Sequence, residues 1–178
     1  MQDEESLVRQ AKERDEAALT QLYEGNFDKI YRYIVLKIGD RTEAEDMTQQ
    51  VFLKAFKSIS GYQSKGSPFS SWLFRIAHNQ IVDYWRKKSK RPTVPLEETL
   101  VGSSDSNPDS DVERKMEIEK LVVATRGLTE MQREVISLRF AGGLPVAQVA
   151  KLMGKSEGAI KALQHSAVVS LRRMMATG

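Results

Sequence analysis

Cysteine is absent from the 178-residue chain, which excludes a disulfide framework and a thiolate metal site. Aromatic residues make up only 7% of the chain, and glycine and proline are sparse outside a few segments, a profile that favours helices. No apolar run approaches the ~18 residues of a membrane span. The acidic start, residues 1–5, is unlike a signal peptide. These absences predict a cytoplasmic protein without a membrane span.

The charge of the chain is unevenly distributed. Hydrophobic residues form 40% and charged residues 29%, a composition that folds. Residues 91–119 carry three basic and eight acidic side chains, whereas residues 120–178 carry nine basic and three acidic ones. This basic C-terminal part predicts a partner that is a polyanion. A solvated basic face on a helix is the alternative.

Residues 91–111 separate two helical regions. They contain Pro92, Pro95 and Pro108 around a Gly-Ser-Asp-rich run, which cannot hold a helix or bury a face. We therefore expect an all-α protein made of two small helical domains, residues 1–90 and 114–178, joined by a flexible linker at residues 91–113.

Apolar residues at helical spacing predict three helices in the first domain. The first ends at Gly39, the second spans residues 43–59, and the third follows a loop at residues 61–68 and ends in basic residues. The first and third stripes are Tyr23, Phe27, Ile30, Ile34 and Ile38, and Trp72, Leu73, Ile76, Ala77 and Tyr84.

The second domain carries a helix-turn-helix pattern. Thr129 and Gln132 form a capping-box pair at the start of a helix. A short helix at Val146–Met153 follows, with Pro145 able to occupy its first position, and Gly154 then supplies the left-handed residue at its end. A short helix followed by a glycine-containing turn and a longer helix is the helix-turn-helix arrangement, which binds DNA. An ordinary helical hairpin is the alternative.

The expected DNA contacts lie around the second helix of that pattern. Its first residues would meet base edges in the major groove, and basic residues at the turn and further along would meet phosphates. The base-edge candidates are Ser156, Glu157, Lys161 and His165, and the phosphate candidates are Lys155, Arg172 and Arg173.

Two helices of the first domain carry side chains suited to binding a partner. Asp46, Gln49 and Gln50 lie beside an apolar stripe, which suits a protein-docking face, although this segment taken alone favours a solvated acidic helix. The third helix mixes aromatic, amide and arginine side chains, a combination suited to single-stranded nucleic acid. Its members are Trp72, His78, Asn79, Asp83, Tyr84, Trp85 and Arg86, of which Trp72 shares a face with Ile76 and is expected in the core.

Three stretches in order resemble the sigma-70 family of RNA polymerase sigma factors, in its short extracytoplasmic-function (ECF) group. They are Ala-Glu-Asp-Met-Thr-Gln-Gln-Val-Phe-Leu from residue 44, Phe-Ser-Ser-Trp-Leu-Phe-Arg-Ile-Ala-His-Asn from residue 69, and Leu-Thr-Glu-Met-Gln-Arg-Glu-Val-Ile-Ser-Leu-Arg-Phe from residue 128. The resemblance covers about residues 6–90 and 114–175.

The resemblance implies binding to core RNA polymerase, recognition of promoter DNA and control by an anti-sigma factor, with no cofactor, metal or catalytic residue. It implies docking on the clamp helices of the largest polymerase subunit, recognition and melting of the −10 element, and reading of the −35 element as duplex. The corresponding positions are Asp46, Gln49, Gln50 and Phe52 for docking; Lys65, Phe69, His78, Asn79, Asp83 and Arg86 for −10; and Arg139, Lys155, Ser156, Glu157, Lys161, His165 and Arg172 for −35.

The chain departs from the family pattern at two places. Gln50 stands where the family often has Glu, which removes one carboxylate from the docking face. In the recognition helix, Leu163 and Gln164 stand where Arg and Leu are frequent, and Ser166 and Val168 replace arginines. We therefore expect weaker or differently specified −35 binding.

Three other functions compete with this one. A response-regulator-type transcription factor shares the helix-turn-helix, but its receiver domain needs strands. A helical protein-binding adaptor does not explain the basic second domain. An enzyme is disfavoured because His78 and Asp83 lie five residues apart, off a common helical face, and no nucleophile or phosphate loop accompanies them.

Overall fold

The computed structural model describes residues 3–90 and 108–177. Within these residues the chain is all helical, as expected, and has no β-strand. Residues 91–107, most of the expected linker, lie outside the described part. The helices are α1 (Glu4–Lys12), α2 (Glu16–Ile38), α3 (Arg41–Lys57), α4 (Phe69–Ser89), α5 (Pro108–Thr125), α6 (Glu130–Ile136), α7 (Val146–Met153) and α8 (Glu157–Thr177), with a 3-10 turn at Ile59–Gly61 and a π-helical turn at Ser137–Ala141.

Aspartate caps begin the first three helices. The carboxylates of Asp3, Asp15 and Asp40 accept hydrogen bonds from backbone N–H groups three residues on, at 2.7, 3.0 and 3.1 Å. Each cap satisfies a donor that the first turn of a helix would otherwise leave unpaired. Helix α1 was not among the stripes identified from the sequence, and its Asp3 cap is the local signal for it.

The core of the first domain forms around α2, which packs against α1, α3 and α4. Ile30, Tyr33 and Ile34 on α2 are fully buried. The stripe identified from the sequence is thus confirmed as the central buried face. Gly39 ends α2 in the left-handed conformation, at φ 78°, as expected.

Two local boundaries differ from the sequence expectation. Helix α5 begins at Pro108, inside the segment assigned to the linker, because proline is compatible with the first turn of a helix. Pro145 lies at the N-cap of α7 with an extended ψ of 156°, one position before the helix, and not at its first position.

The second domain contains the expected helix-turn-helix. Thr129 and Gln132 form the capping box of α6. Helix α6 continues into the π-helical turn, which sequence periodicity did not indicate. On the other side of this domain a small core joins Leu128, Ile136 and Ala167, with the side chains of α8 packed on it.

The two domains are packed together. Helix α2 contacts α5, α6 and the π-helical turn, and α4 contacts α7. A single buried cluster runs from the first domain into the second and includes Val135, Leu138 and Val149. Among the described residues, the two expected helical domains therefore share apolar surface, a packing that the sequence left open.

The domains approach each other closely at Gly142. A Cβ atom added there would lie 2.6 Å from Cζ of Phe74 and 2.8 Å from the carbonyl oxygen of Leu138. Since Phe74 lies on α4 and Gly142 directly follows the π-helical turn, only a glycine allows this contact. None of the helices in residues 3–90 and 108–177 is long and apolar enough to span a bilayer.

Candidate nucleic-acid interface

Helix α3 presents a polar face that is followed, one turn on, by an exposed leucine. Asp46, Gln49 and Gln50 are exposed, and Leu53, one turn after Gln49, is 60% exposed. Phe52, which the resemblance placed on this face, is only 2% exposed and packs against Tyr23 in the core. Its side chain cannot contact a partner in this structure, because its helical position points to the centre of the domain.

Helix α4 presents a second polar face. Asn79, Asp83 and Arg86 are all exposed and recur at intervals of four and three, which places them on one side of the helix. Arg86 pairs loosely with Asp83, at 3.7 Å between Nη1 and Oδ1. Lys65, in the loop before α4, is exposed and has a positive φ of 45°.

An aromatic pair stands near the end of α4. Trp85 is 42% exposed and meets the ring of Tyr84 edge-on at 5.2 Å between centroids. The ammonium of Lys88 lies 5.3 Å from the Trp85 ring, a contact that the sequence reading did not anticipate. An exposed indole beside a cation can stack on an unpaired base and hold its phosphate.

Phe69 is not part of either polar face. It is fully buried and packs against Tyr62 and Trp72, at centroid distances of 5.4 and 5.6 Å. The resemblance assigned Phe69 to DNA contact, but here it anchors the start of α4 to the preceding loop. Trp72 is partly buried and packs on the core, as its shared face with Ile76 predicted.

The helix-turn-helix has the local geometry that its sequence indicated. Gly154 ends α7 in the left-handed conformation, at φ 65°. The Ser156 hydroxyl accepts a hydrogen bond from the Ala159 backbone N–H at 3.1 Å, capping α8. The side chains on the outer face of this helix and its N-terminus are exposed: Ser156, Glu157, Lys161, His165 and Arg172.

Two of the expected −35 residues are partly buried against other parts of this chain and do not lie on an open surface. Arg139 is partly buried, and its Nε donates to Oε1 of Gln164 at 3.0 Å while its Nη1 donates to the carbonyl of Leu144 at 2.8 Å. Lys155 is partly buried and lines a cavity between the domains. Arg139 is therefore not placed as a DNA contact in this structure.

The interdomain cavity has a volume of about 330 Å³ and is lined by candidate DNA-contact residues of both domains. Arg75 and His78 of α4 line it from the first domain, while Met131, Glu134 and Lys155 line it from the second. The −10 and −35 candidates His78 and Lys155 thus share one cavity, which sequence spacing could not indicate.

Glu134 is the buried charge of this interface, and sequence reasoning missed it. The hydroxyl of Tyr33 donates to its Oε1 at 2.7 Å, Lys37 pairs with its Oε2, and Nδ1 of His78 lies 3.6 Å from Oε1. Burial would raise the pKa of Glu134, but the hydrogen bond from His78, the charge and hydrogen bond of Lys37 and the hydrogen bond of Tyr33 together lower it to about 2. Its only sequence signal is its place on the apolar face between Met131 and Leu138.

Tyr33 is held neutral at the same place. Burial, with the neighbouring Glu134 carboxylate, raises the pKa of its phenol well above the ordinary value of 10.

A second ion pair, between Arg41 of α3 and Glu119 of α5 at 3.2 Å, lies further along the interface. Within residues 3–90 and 108–177, no group of three His, Asp or Glu side chains could hold a metal ion.

Comparison with known proteins accounts for both domains. Residues 22–91 match the model of sigma-70 region 2, and residues 126–173 match that of sigma-70 region 4. The ECF RNA polymerase sigma factor BldN of Streptomyces coelicolor is 36% identical over 170 residues, which are 95% of this chain. They cover 64% of BldN, so the chain spans less than two thirds of that relative's length.

Two solved structures share the fold of the chain. CnrH in complex with the cytosolic domain of CnrY matches with a TM-score of 0.73 at 20% identity, over 98% of this chain and 97% of that one. The sigma factor RpoE in complex with the anti-sigma factor NepR from Bartonella quintana matches with a TM-score of 0.66 at 22% identity, over 88% and 96%. With regions 2 and 4 matched in order, the chain belongs to the sigma-70 family of RNA polymerase sigma factors, in its ECF group.

Proposed function

We propose that this chain binds core RNA polymerase and directs it to promoters, where it recognises and opens the DNA to start transcription. The observation that carries the proposal is the presence of regions 2 and 4 in one chain, each with an exposed polar face of suitable chemistry. Such a protein works in the cytoplasm as a binding subunit, without a catalytic residue, metal or cofactor of its own.

The face of α3 is the proposed docking surface for the clamp helices of the largest polymerase subunit. Asp46, Gln49 and Gln50 precede the exposed Leu53 on one side of the helix, so an apolar contact there would be flanked by hydrogen-bonding groups. Phe52 supports this surface from below by packing with Tyr23. Arg41, at the start of the same helix, forms an ion pair with Glu119 of α5.

The face of α4 is the proposed −10 surface. Removing a base from the stack costs a few kcal/mol, which a protein surface must offset with stacking and hydrogen bonds. Asn79 and Asp83 supply hydrogen-bonding groups, Arg86 and Lys65 supply charge for phosphates, and Trp85 supplies an exposed ring. His78 borders this surface on the side of the interdomain cavity.

The start of α8 is the proposed −35 surface. Ser156, Glu157, Lys161 and His165 are exposed on the first three turns, where a recognition helix meets base edges. Arg172, near the end of the same helix, and Lys155, at the turn, are the proposed phosphate contacts. Phosphate contacts add affinity without sequence preference.

Promoter binding requires the domains to separate. Elements centred near −10 and −35 lie about 25 base pairs apart, or roughly 85 Å along the duplex. In the structure, His78 and Lys155 line one cavity. One packed molecule therefore cannot place both surfaces on their elements, and the form described here is a closed one.

Run-off transcription with bacterial core polymerase tests the proposal. The full chain is mixed with core enzyme and templates carrying ECF-type promoters, and transcripts are compared with those from core enzyme alone. We expect promoter-dependent transcripts and co-elution of the chain with core. Duplex binding without any association with core would contradict the proposal and favour a response-regulator-type factor instead.

We also propose an anti-sigma factor as a regulatory partner. The related fold of RpoE was solved with one bound. An apolar groove of about 410 Å³ between α2 and α5, bordered by exposed Leu121 and Phe140, offers a surface on which the apolar face of a partner helix could dock. With a cognate anti-sigma protein, Phe140→Ser is expected to relieve inhibition while leaving run-off transcription intact; unchanged inhibition would exclude this groove.

A further inference from the structure

Two side-chain hydrogen bonds join the recognition helix α8 to the helix that crosses it. Nε2 of Gln132 on α6 donates to the hydroxyl oxygen of Ser166 at 3.1 Å. Nε of Arg139, in the π-helical turn that continues α6, donates to Oε1 of Gln164 at 3.0 Å. Gln164 and Ser166 are two residues apart, or about 200° around the helix, so the two pairs flank the buried face of α8 on opposite sides, and both side chains are partly buried.

Each donor is itself fixed by a second bond. The Gln132 side-chain oxygen accepts from the backbone N–H of Thr129 at 3.0 Å, which is half of the capping box. The Nη1 atom of Arg139 donates to the carbonyl of Leu144 at 2.8 Å, just before α7. Gln132 therefore links the start of α6 to α8, and Arg139 links the approach to α7 to α8.

The acceptors are two of the residues that distinguish this recognition helix. Gln164 stands where the family frequently has Leu, and Ser166 stands where it has Arg. Gln164 is bound to the π-helical turn and Ser166 to α6. Lys161 and His165 on the same helix are exposed. These two departures from the family pattern thus lie at contacts between helices and not on the outer face of α8.

A recognition helix reads bases only when its side chains are held in place. Base-edge hydrogen bonds require placement within about 0.5 Å and 10–20°, so a small rotation of α8 would move Lys161 and His165 off their acceptors. Apolar packing at Ile160 and Ala167 holds the helix down but is not directional. Hydrogen bonds are directional, and the two pairs fix rotation about the helix axis.

We propose that Arg139 and Gln132 are positioning residues that hold α8 through Gln164 and Ser166 and thereby set the −35 sequence preference, without touching DNA. This assignment rests on the proposed function. It replaces the role that the resemblance implied for Arg139, since its guanidinium is already committed to Gln164 and Leu144.

The test uses holoenzyme, assembled from the full chain and core polymerase, and a promoter library randomised at the −35 element. For Arg139→Ala and for Gln164→Ala we expect the ratio of bound consensus to mismatched sites to fall about threefold to tenfold, the range of one lost hydrogen bond. The double variant should lose no more than either single one, because both remove the same pair. Gln164→Glu keeps an acceptor for Arg139 and is expected to retain the preference.

The salt dependence of binding separates positioning from phosphate contact. Arg172→Ala, the matched control on the outer face, should reduce the slope of log affinity against log salt by about one. Arg139→Ala should leave that slope unchanged. A slope reduced by about one with an intact sequence preference, or additive losses in the double variant, would overturn the proposal.

Ser166→Ala provides an independent arm that removes only a hydroxyl from the second pair. It is expected to relax the preference without lowering the melting temperature by more than a few degrees, and an unaltered preference would overturn the role of Gln132. If wild-type holoenzyme selects no sequence at all, the proposed function fails. If wild-type selects and every variant selects identically, this inference alone fails.

Discussion

The hydroxyl oxygen of Tyr33 lies 2.7 Å from Oε1 of Glu134, although 101 residues separate the two along the chain. The bond joins the centre of the first domain to α6 of the second. Because Lys37 pairs with the other oxygen of the same carboxylate, Glu134 is the point where the two domains share a buried charge. Its removal should therefore report on the closed form.

Glu134→Ala is expected to lower the free energy of unfolding by about 3 kcal/mol, because it leaves the buried Lys37 ammonium and the Tyr33 hydroxyl without a partner. Denaturant unfolding measures this. Glu130→Ala, on the exposed first turn of the same helix, is the control and should cost under about 1 kcal/mol. Replacing both members of the ion pair, as Lys37→Met with Glu134→Leu, should restore most of the lost unfolding free energy. Equal losses of unfolding free energy for Glu130→Ala and Glu134→Ala would contradict this account.

The contribution of Glu134 should depend on pH in a defined direction. Its pKa is lowered from an ordinary 4.5 to about 2 in the folded chain, so its stabilisation is present above pH 4.5 and is lost as pH falls toward 2. The difference in unfolding free energy between the wild type and Glu134→Gln should therefore shrink by up to about 3 kcal/mol over that range. A difference that stays constant from pH 7 to pH 3 would refute the coupling.

Gly142→Ala should open the interface between the domains, and the added Cβ would also press on the Leu138 carbonyl, 2.8 Å away in the second domain. Its φ of −83° suits any residue, but the added Cβ would lie 2.6 Å from the ring of Phe74. We expect a larger radius of gyration in small-angle scattering of the free chain. Gly25→Ala, inside α2 with no atom within 4 Å of the added Cβ, is the matched control and should leave the radius unchanged. Equal radii for both variants would show that the ring moves aside.

Asn79→Ala should keep the binding of core polymerase and lose promoter opening. The side chain is exposed on α4 in the proposed −10 surface, whereas the proposed docking surface is on α3, so we expect neither the fold nor docking to depend on it. Permanganate footprinting of the −10 region measures opening. A template with a pre-melted −10 region should restore transcription by the variant, and wild-type opening of an intact promoter would remove Asn79 from the melting surface.

Local features of the chain were readable from the sequence because their causes lie within a few residues. Gly39 and Gly154 end helices in the left-handed conformation, and Thr129 pairs with Gln132 three residues later. The apolar stripe of α2 predicted its buried face, since helical periodicity is a property of neighbouring residues. These signals placed the helix-turn-helix and the all-α fold.

The tertiary structure decided which side chains face out and which partners they meet. Phe52 and Phe69 belong to motifs that resemble functional stretches, yet both are buried because they face the core from the inner sides of α3 and α4. Arg139 is one of the −35 positions that the resemblance implied, but its guanidinium is bound by Gln164, 25 residues later. The packing of the domains through Glu134 and Gly142 depends on surfaces brought together from over 60 residues apart. Periodicity describes one helix at a time, whereas these contacts exist only once helices pack against each other.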